Sequence, residues 1–192
     1  MTYRMLGYGY TWWHGDPLPC LPPLTGLHVL PTDDAELIAA LAQLEPAEVT
    51  ERMCQANQAY VAYIGTEPAA YGWSAARTGA ISELAFDFEI PPGNRYLWDF
   101  VTMPAWRGHG IYPRLLQAIL TAEQSRAQRF WIGHTADNNA SQHGIVKAGF
   151  QLVEALVMFA DATLAILPFG PRSRAEVSPM GLCLDVVMPE GT

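Results

Sequence analysis

Residues 96–113 read Tyr96-Leu-Trp-Asp-Phe-Val-Thr-Met-Pro-Ala-Trp-Arg-Gly-His-Gly-Ile-Tyr-Pro113, and the fold turns on how they are read. An apolar run, Tyr96–Thr102, leads into Met103-Pro104 and then Arg107-Gly108-His109-Gly110, followed by an amphipathic segment to about Arg126. A second apolar run, Phe130–Thr135, precedes Asn138, Ser141, Lys147, Gly149 and Phe150. The periodicity predicts strand, glycine turn, helix, strand, helix. A glycine turn that opens onto a helix is an anion site. Glycine permits positive φ and close approach. The first-turn N–H groups lack intrahelical partners, and the helix dipole favours negative charge there. Pro113 suits the first helical position. The ligand expected is a phosphate or pyrophosphate.

Two nucleotide signatures fail on the residues present. A P-loop needs a lysine and a Ser/Thr after its last glycine, and Gly110 is followed by Ile111 and Tyr112. A dinucleotide fingerprint needs a third glycine where Pro113 stands. The stretch instead resembles the GNAT acyltransferase superfamily. The family's [Q/R]-x-x-G-x-[G/A] follows a V-x-P-like strand end, here Thr102-Met-Pro104 with Arg107, Gly110 and Tyr112. Its N-x-x-[S/A]…K-x-G-F is present as Asn138, Ser141, Lys147, Gly149 and Phe150. The resemblance covers about residues 59–160. It implies an α/β fold, GNAT-like, with a mixed, mostly antiparallel central sheet splayed at one parallel pair and flanked by helices, and acetyl-CoA (coenzyme A) as cofactor. Two departures stand out. Tyr112 occupies a Gly/Ala position, and Ile145 replaces the tyrosine that in many members protonates the leaving thiolate.

At 192 residues, half of them hydrophobic and 16% charged, the chain reads as one globular domain, 1–192. No apolar run reaches the ~18 residues of a membrane span, and no secretory signal is seen. Cys20, Cys54 and Cys183 are scattered and read as reduced thiols in a cytoplasmic protein. No Cys/His cluster has zinc spacing, so no metal is expected. The net charge of −8 argues against nucleic acid. Its distribution is uneven: residues 107–149 hold five cations and two carboxylates, net +3, against −11 for the remainder. A basic patch in an acidic protein suits a polyanionic cofactor, and an acidic remainder suits a cationic amine.

Residues 1–25 are aromatic and proline-rich. They are expected to be an extended arm packed on the domain, or else a wall of the acceptor pocket. A strand is expected at 26–30. A helix should follow with Asp33 and Glu36 as its capping box, then another from Pro46 to about Ala56. Tyr60–Ile64 and Ala70–Ser74 read as a hairpin. Ile81–Ile90 reads as a half-buried strand of the meander that ends at Thr102. Gln151–Phe159 and Gly181–Met188 read as closing strands, and 162–179 as a surface insertion.

The resemblance places the cofactor between the strands at 96–102 and 130–135. Backbone groups near Val101, Thr102 and Met103 would hold the pantetheine. The N–H groups from Gly108 through His109, Gly110 and Ile111 to Tyr112 would hold the pyrophosphate, with Arg107 adding charge. Asn138 would bond the pantetheine amide, or cap its helix, or both. Ser141 would line the wall and could hold a water beside Ile145. A lysine-like amine, pKa ~10.4, must lose a proton before it attacks. Asp99 is the first candidate base and Glu83 the second, and Asp99 reads equally as a structural carboxylate. The implied function is N-acetyl transfer to a small-molecule or peptide amine by direct attack in a ternary complex. The alternative is a non-catalytic acyl-CoA-binding or sensing module on the same fold. No nucleic-acid or membrane partner is expected, and a homodimer is left open.

Overall fold

Side chains on the central strands alternate between two covered faces, and this sorts the helices. The computed structural model describes residues 2–81 and 84–188. In chain order the elements are β1 (Tyr3–Trp13), β2 (Leu27–Thr32), α1 (Ala35–Ala42), α2 (Pro46–Cys54), β3 (Asn57–Ile64), β4 (Glu67–Ala75), β5 (Thr78–Ile81), β6 (Phe86–Glu89) and β7 (Asn94–Thr102). A 3-10 turn (Pro104–Trp106) then leads to α3 (Ile111–Glu123), β8 (Arg129–Thr135), α4 (Asn139–Ala148), β9 (Gln151–Phe159), β10 (Leu164–Pro168), α5 (Arg172–Ala175) and β11 (Asp185–Val186). Nine strands form one sheet in the order β11-β10-β9-β1-β8-β7-β4-β3-β2, and β5 and β6 form a separate hairpin. On β8, Phe130 and Ile132 join the core under α3 and α4, while Trp131 joins the core on the other face with Phe88, Ile166 and Met180. On β3, Tyr60 and Ala62 face α3, while Ala59 and Val61 pack with Ile38 of α1 and Val49 of α2.

The α/β class and the mostly antiparallel sheet match the expectation. The parallel pair β7–β8 is present, and a second, two-residue parallel pair joins β10 to β11. Several expectations are corrected. The aromatic half of the supposed arm is β1, a strand inside the sheet, paired antiparallel with both β8 and β9. Its alternation Gly7-Tyr-Gly-Tyr10 has the period of a strand, and Tyr10 and Trp12 are buried in the α3/α4 core. The proline-rich half does pack as an arm, since Arg114 donates to the Pro22 carbonyl and Gln117 Nε2 to the Pro19 carbonyl at 2.9 Å. Residues 162–179 are not a surface insertion. They contain β10 and α5, and Ser178 is buried. The expected strand 181–188 shrinks to β11, because 181–184 form turns. The expected strand 81–90 is split between the separate hairpin's arms, so β4 pairs directly with β7. The first helix is capped by Asp34, not Asp33: Asp34 Oδ1 accepts from Leu37 N–H at 2.9 Å.

Candidate active site

The parallel pairing of β7 and β8 runs from Asn94↔Arg129 to Leu97↔Ile132 and stops. The reason lies on the other edge of β7. Between Trp73↔Trp98 and Tyr71↔Val101, the two residues Asp99 and Phe100 oppose the single residue Gly72. This is a bulge, and Asp99 takes it with φ 51°. A bulge bends its strand and increases its twist, which turns β7 away from β8 at Trp98. Gly72 makes the bend possible: a Cβ there would overlap the Phe100 ring. A crevice therefore opens at the carboxyl ends of two adjacent parallel strands, where ligands settle in open α/β sheets.

At the mouth of the crevice stands the turn before α3. Gly108 (φ 80°) and Gly110 (φ 71°) both adopt the left-handed conformation, and Gly110 caps α3. The helix starts at Ile111, two residues earlier than expected, so Pro113 is its third residue rather than its first. Three bonds hold the turn. Met103 N–H donates to the Ala69 carbonyl at 2.9 Å, Arg107 Nε to the Thr102 carbonyl at 3.2 Å, and Arg114 Nη1 to the Gly110 carbonyl at 2.6 Å. His109 Nδ1 lies 3.0 Å from the Arg107 carbonyl. A Cβ at Gly108 would meet nothing within 4 Å. The turn is an open cradle, backed by the orphan N–H groups of a 13-residue helix.

Across from the turn lies α4. Asn138 caps it, its Oδ1 accepting from Ser141 N–H at 3.0 Å, so the capping role is present. Tyr112 spans the space between the helices. Its ring lies 5.5 Å from that of Phe100, and its hydroxyl is 3.3 Å from Ser141 Oγ. Burial pushes the Tyr112 hydroxyl up to about 12, against the opposing effect of the Ser141 bond. A Cβ on Gly144 would collide with this ring, so the missing side chain on α4 compensates for the extra one on α3. Ile145 is fully buried in the core beneath, and Ser141 Oγ faces Tyr112.

The structure brings Asp99, Val101 and Met103 to the opposite face, beside α1 and α2. Val101 and Met103 pack against the core there. Asp99 Oδ2 accepts from Arg52 Nη1 at 2.7 Å. The Arg52 guanidinium sits 5.0 Å from the Trp98 ring centroid and 5.9 Å from that of Trp73. Tyr71 is pushed up to about 12, first by burial and then by the charge of Asp99. Glu83 lies outside the described residues. Sequence reasoning missed Arg52, because an exposed-looking helix arginine carries no signal for a partner 47 residues away. On this same face, between β1, the end of β8 and the β5–β6 hairpin, is a cavity of about 570 Å³.

A sheet splayed at one parallel pair, with a glycine cradle and helix N-terminus at its mouth, is the architecture of an acyltransferase fold. The family profile described as "Acetyltransferase (GNAT) family" matches residues 28–150, and the chain belongs to this family. No curated protein sequence matches it. Among solved structures, it is similar to an acetyltransferase from the GNAT family of Colwellia psychrerythraea (14% identity, 82% of this chain and 56% of that one, TM-score 0.55). It is also similar to a GCN5-related N-acetyltransferase from Kribbella flavida (17%, 79% and 56%, TM-score 0.52). A third is AAC(6')-Iy in complex with the bisubstrate analog CoA-S-monomethyl-acetylneamine (14%, 65% and 90%, TM-score 0.50). The chain thus spans little more than half the length of the first two. Likeness at these identities speaks for the fold. Among the described residues no helix is long and apolar enough to cross a membrane.

Proposed function

We propose that this domain transfers an acyl group, acetyl in the first instance, from acyl-CoA to an amine by direct attack in a ternary complex. The observation that carries the reading is the open turn of Gly108 and Gly110, set in front of α3 where β7 leaves β8. The residues present fit coenzyme A. The amides from Gly108 to Tyr112 would hold its pyrophosphate, with the Arg107 guanidinium alongside. The edge of β7 at Val101 to Met103 would bond the pantetheine as an added strand does. Asn138 Nδ2 would donate to a pantetheine carbonyl while Oδ1 keeps its cap, and Tyr112 and Ser141 would wall the arm. Bound there, acetyl-CoA supplies an activated thioester.

The chain's own groups then do three things. Backbone N–H groups at the bulge polarise the carbonyl. The crevice aligns the amine. Asp99 collects the amine proton, directly or through water, and the Arg52 pair fixes the orientation of its carboxylate. No hydroxyl stands at position 145 to protonate the leaving group. A thiol of pKa ~8.5 leaves as thiolate without full protonation, so transfer remains feasible. The buried Ile145 is also what favours the second reading, an acyl-CoA sensor that does not turn over.

Titration calorimetry with CoA, and thiol release with an amine panel, test both. The expected results are CoA binding that Gly110→Val abolishes and thiol release that depends on an amine. CoA binding with no release for any amine would select the sensor. Undiminished CoA affinity in Gly108→Val and Gly110→Val would remove both readings.

A further inference from the structure

The cavity of about 570 Å³ falls within the ~300–1,000 Å³ of small-molecule sites, and it lies apart from the glycine turn. Its position is informative. Trp131 of β8 belongs to the core away from α3 and α4, and Gly133, two residues on, faces the same way. Gly133 is also the first β8 residue past the last pairing with β7. The cavity therefore begins where the crevice begins, but on the sheet face opposite the turn and α4.

Its lining is apolar for the larger part, with Arg4, His134, Thr135 and Asp137 among the polar residues. Leu6, Ile81, Leu84, Tyr96, Leu156 and Met180 form the walls, and all belong to or pack against one buried cluster. Two glycines form the floor. A Cβ on Gly7 would run into the His134 carbonyl at 2.6 Å, and one on Gly133 would approach the Tyr8 carbonyl at 3.3 Å. Gly9 sits opposite Gly133 across the strand pair. The charges at the cavity, among the described residues, are Arg4 and Asp137, both exposed and opposite in sign. Among the described residues one carboxylate is thus offset by one guanidinium, and these two together supply no net charge to attract a polycation.

We propose that this cavity seats the apolar body of the amine acceptor, which makes the acceptor class a monoamine bearing an aromatic or branched aliphatic group. The proposal rests on the acyl-transfer reading. The amine nitrogen bonds to the acyl carbon as the C–S bond breaks. The thiolate leaves with the electron pair, and the amine proton passes to the base. The apolar group stays on the β5–β6 side, where its burial removes walls and ligand together from water.

Calorimetry on the CoA-loaded protein, with phenethylamine, ethylamine and spermidine, tests it. Phenethylamine should bind at least about tenfold more tightly than either of the others, as burial of one ring requires. Ile81→Trp and Leu6→Trp should each remove that advantage while keeping CoA affinity, with thermal melts reporting that they fold. A preference for spermidine, or equal binding of ethylamine and phenethylamine, overturns the proposal without any variant. So does tighter binding of octanoyl-CoA than of acetyl-CoA that both tryptophan variants abolish, since the cavity would then belong to the acyl chain. Failure of CoA itself to bind strikes the acyl-transfer reading instead, and phenethylamine titrated into the unloaded protein still decides what the cavity takes.

Discussion

The Tyr112 ring occupies the space that a side chain at Gly144 would need, since a Cβ there would meet the ring at 2.2 Å. The two positions act as one unit, so their substitutions should not add. Gly144→Leu alone overpacks the α3–α4 contact and should cost about 2 kcal/mol. Tyr112→Ala alone leaves a void and should cost about 3 kcal/mol. The double variant should recover at least half of the summed loss in urea unfolding, and simple additivity would show the rings and glycine to be independent. Asp99 raises a second question at this scale, because its φ of 51° is a strained backbone for a non-glycine residue. Asp99→Asn keeps the shape and removes the charge, and should lower turnover far more than CoA affinity. Asp99→Gly should relieve about 1 kcal/mol of backbone strain yet lose turnover as well. Equal losses in turnover and CoA affinity for Asp99→Asn would leave it a structural partner of Arg52 alone.

Among the elements, β1 and α5 are tied at their ends. Arg174 donates two bonds to Asp16, at 2.7 and 2.8 Å. The guanidinium carbons of Arg174 and Arg129 lie 4.5 and 4.3 Å from the Trp13 ring centroid. The Arg174 bonds hold the Asp16 carboxyl below its usual range, so the stability it contributes is present above the unfolded pKa and is lost as pH falls through the folded one. Asp16→Asn should cost about 2 kcal/mol at pH 7, with the difference from wild type vanishing in acid. A difference that persists at low pH would assign the loss to packing. At this scale much was legible beforehand. The glycine turn, α3, β8, α4 and β9 follow from period and punctuation within about three residues, because each carries its own local signal. β1 did not, since Pro17 to Pro23 dominate its neighbourhood and a strand's partners 119 residues away leave no mark on its own segment. The split of 81–90 into hairpin arms was hidden for a related reason: Leu84, Phe86 and Phe88 alternate equally well in a sheet or in a satellite hairpin. The cradle residues could be named from sequence, but the Arg52–Asp99 pair and the cavity depend on tertiary assembly.

For the molecule as a whole, one buried acid sets a pH dependence. Glu154 is 1% exposed on β9. Burial pushes it up to about 7, against the opposing bond from Ser178 Oγ at 2.6 Å. The native state therefore holds a proton that the unfolded chain releases. The sign follows from linkage: the stability Glu154 contributes is fully present below its unfolded value of 4.5, declines as pH rises to about 7, and is then gone. Glu154→Gln should flatten that decline and raise the melting temperature at pH 8, whereas an unchanged pH profile would place the titration elsewhere. The position of β1 has a further consequence for how the protein is made. Thr11 bonds to the Phe130 carbonyl, and β9 completes the other side of the same strand. On the ribosome β1 emerges long before β8 and β9, so an aromatic, unpaired strand must wait while more than a hundred residues are added. Such non-local closure slows folding and leaves edges exposed to aggregation. Nascent chains stalled before residue 129 should thus be captured by chaperones, with β1 as the segment held.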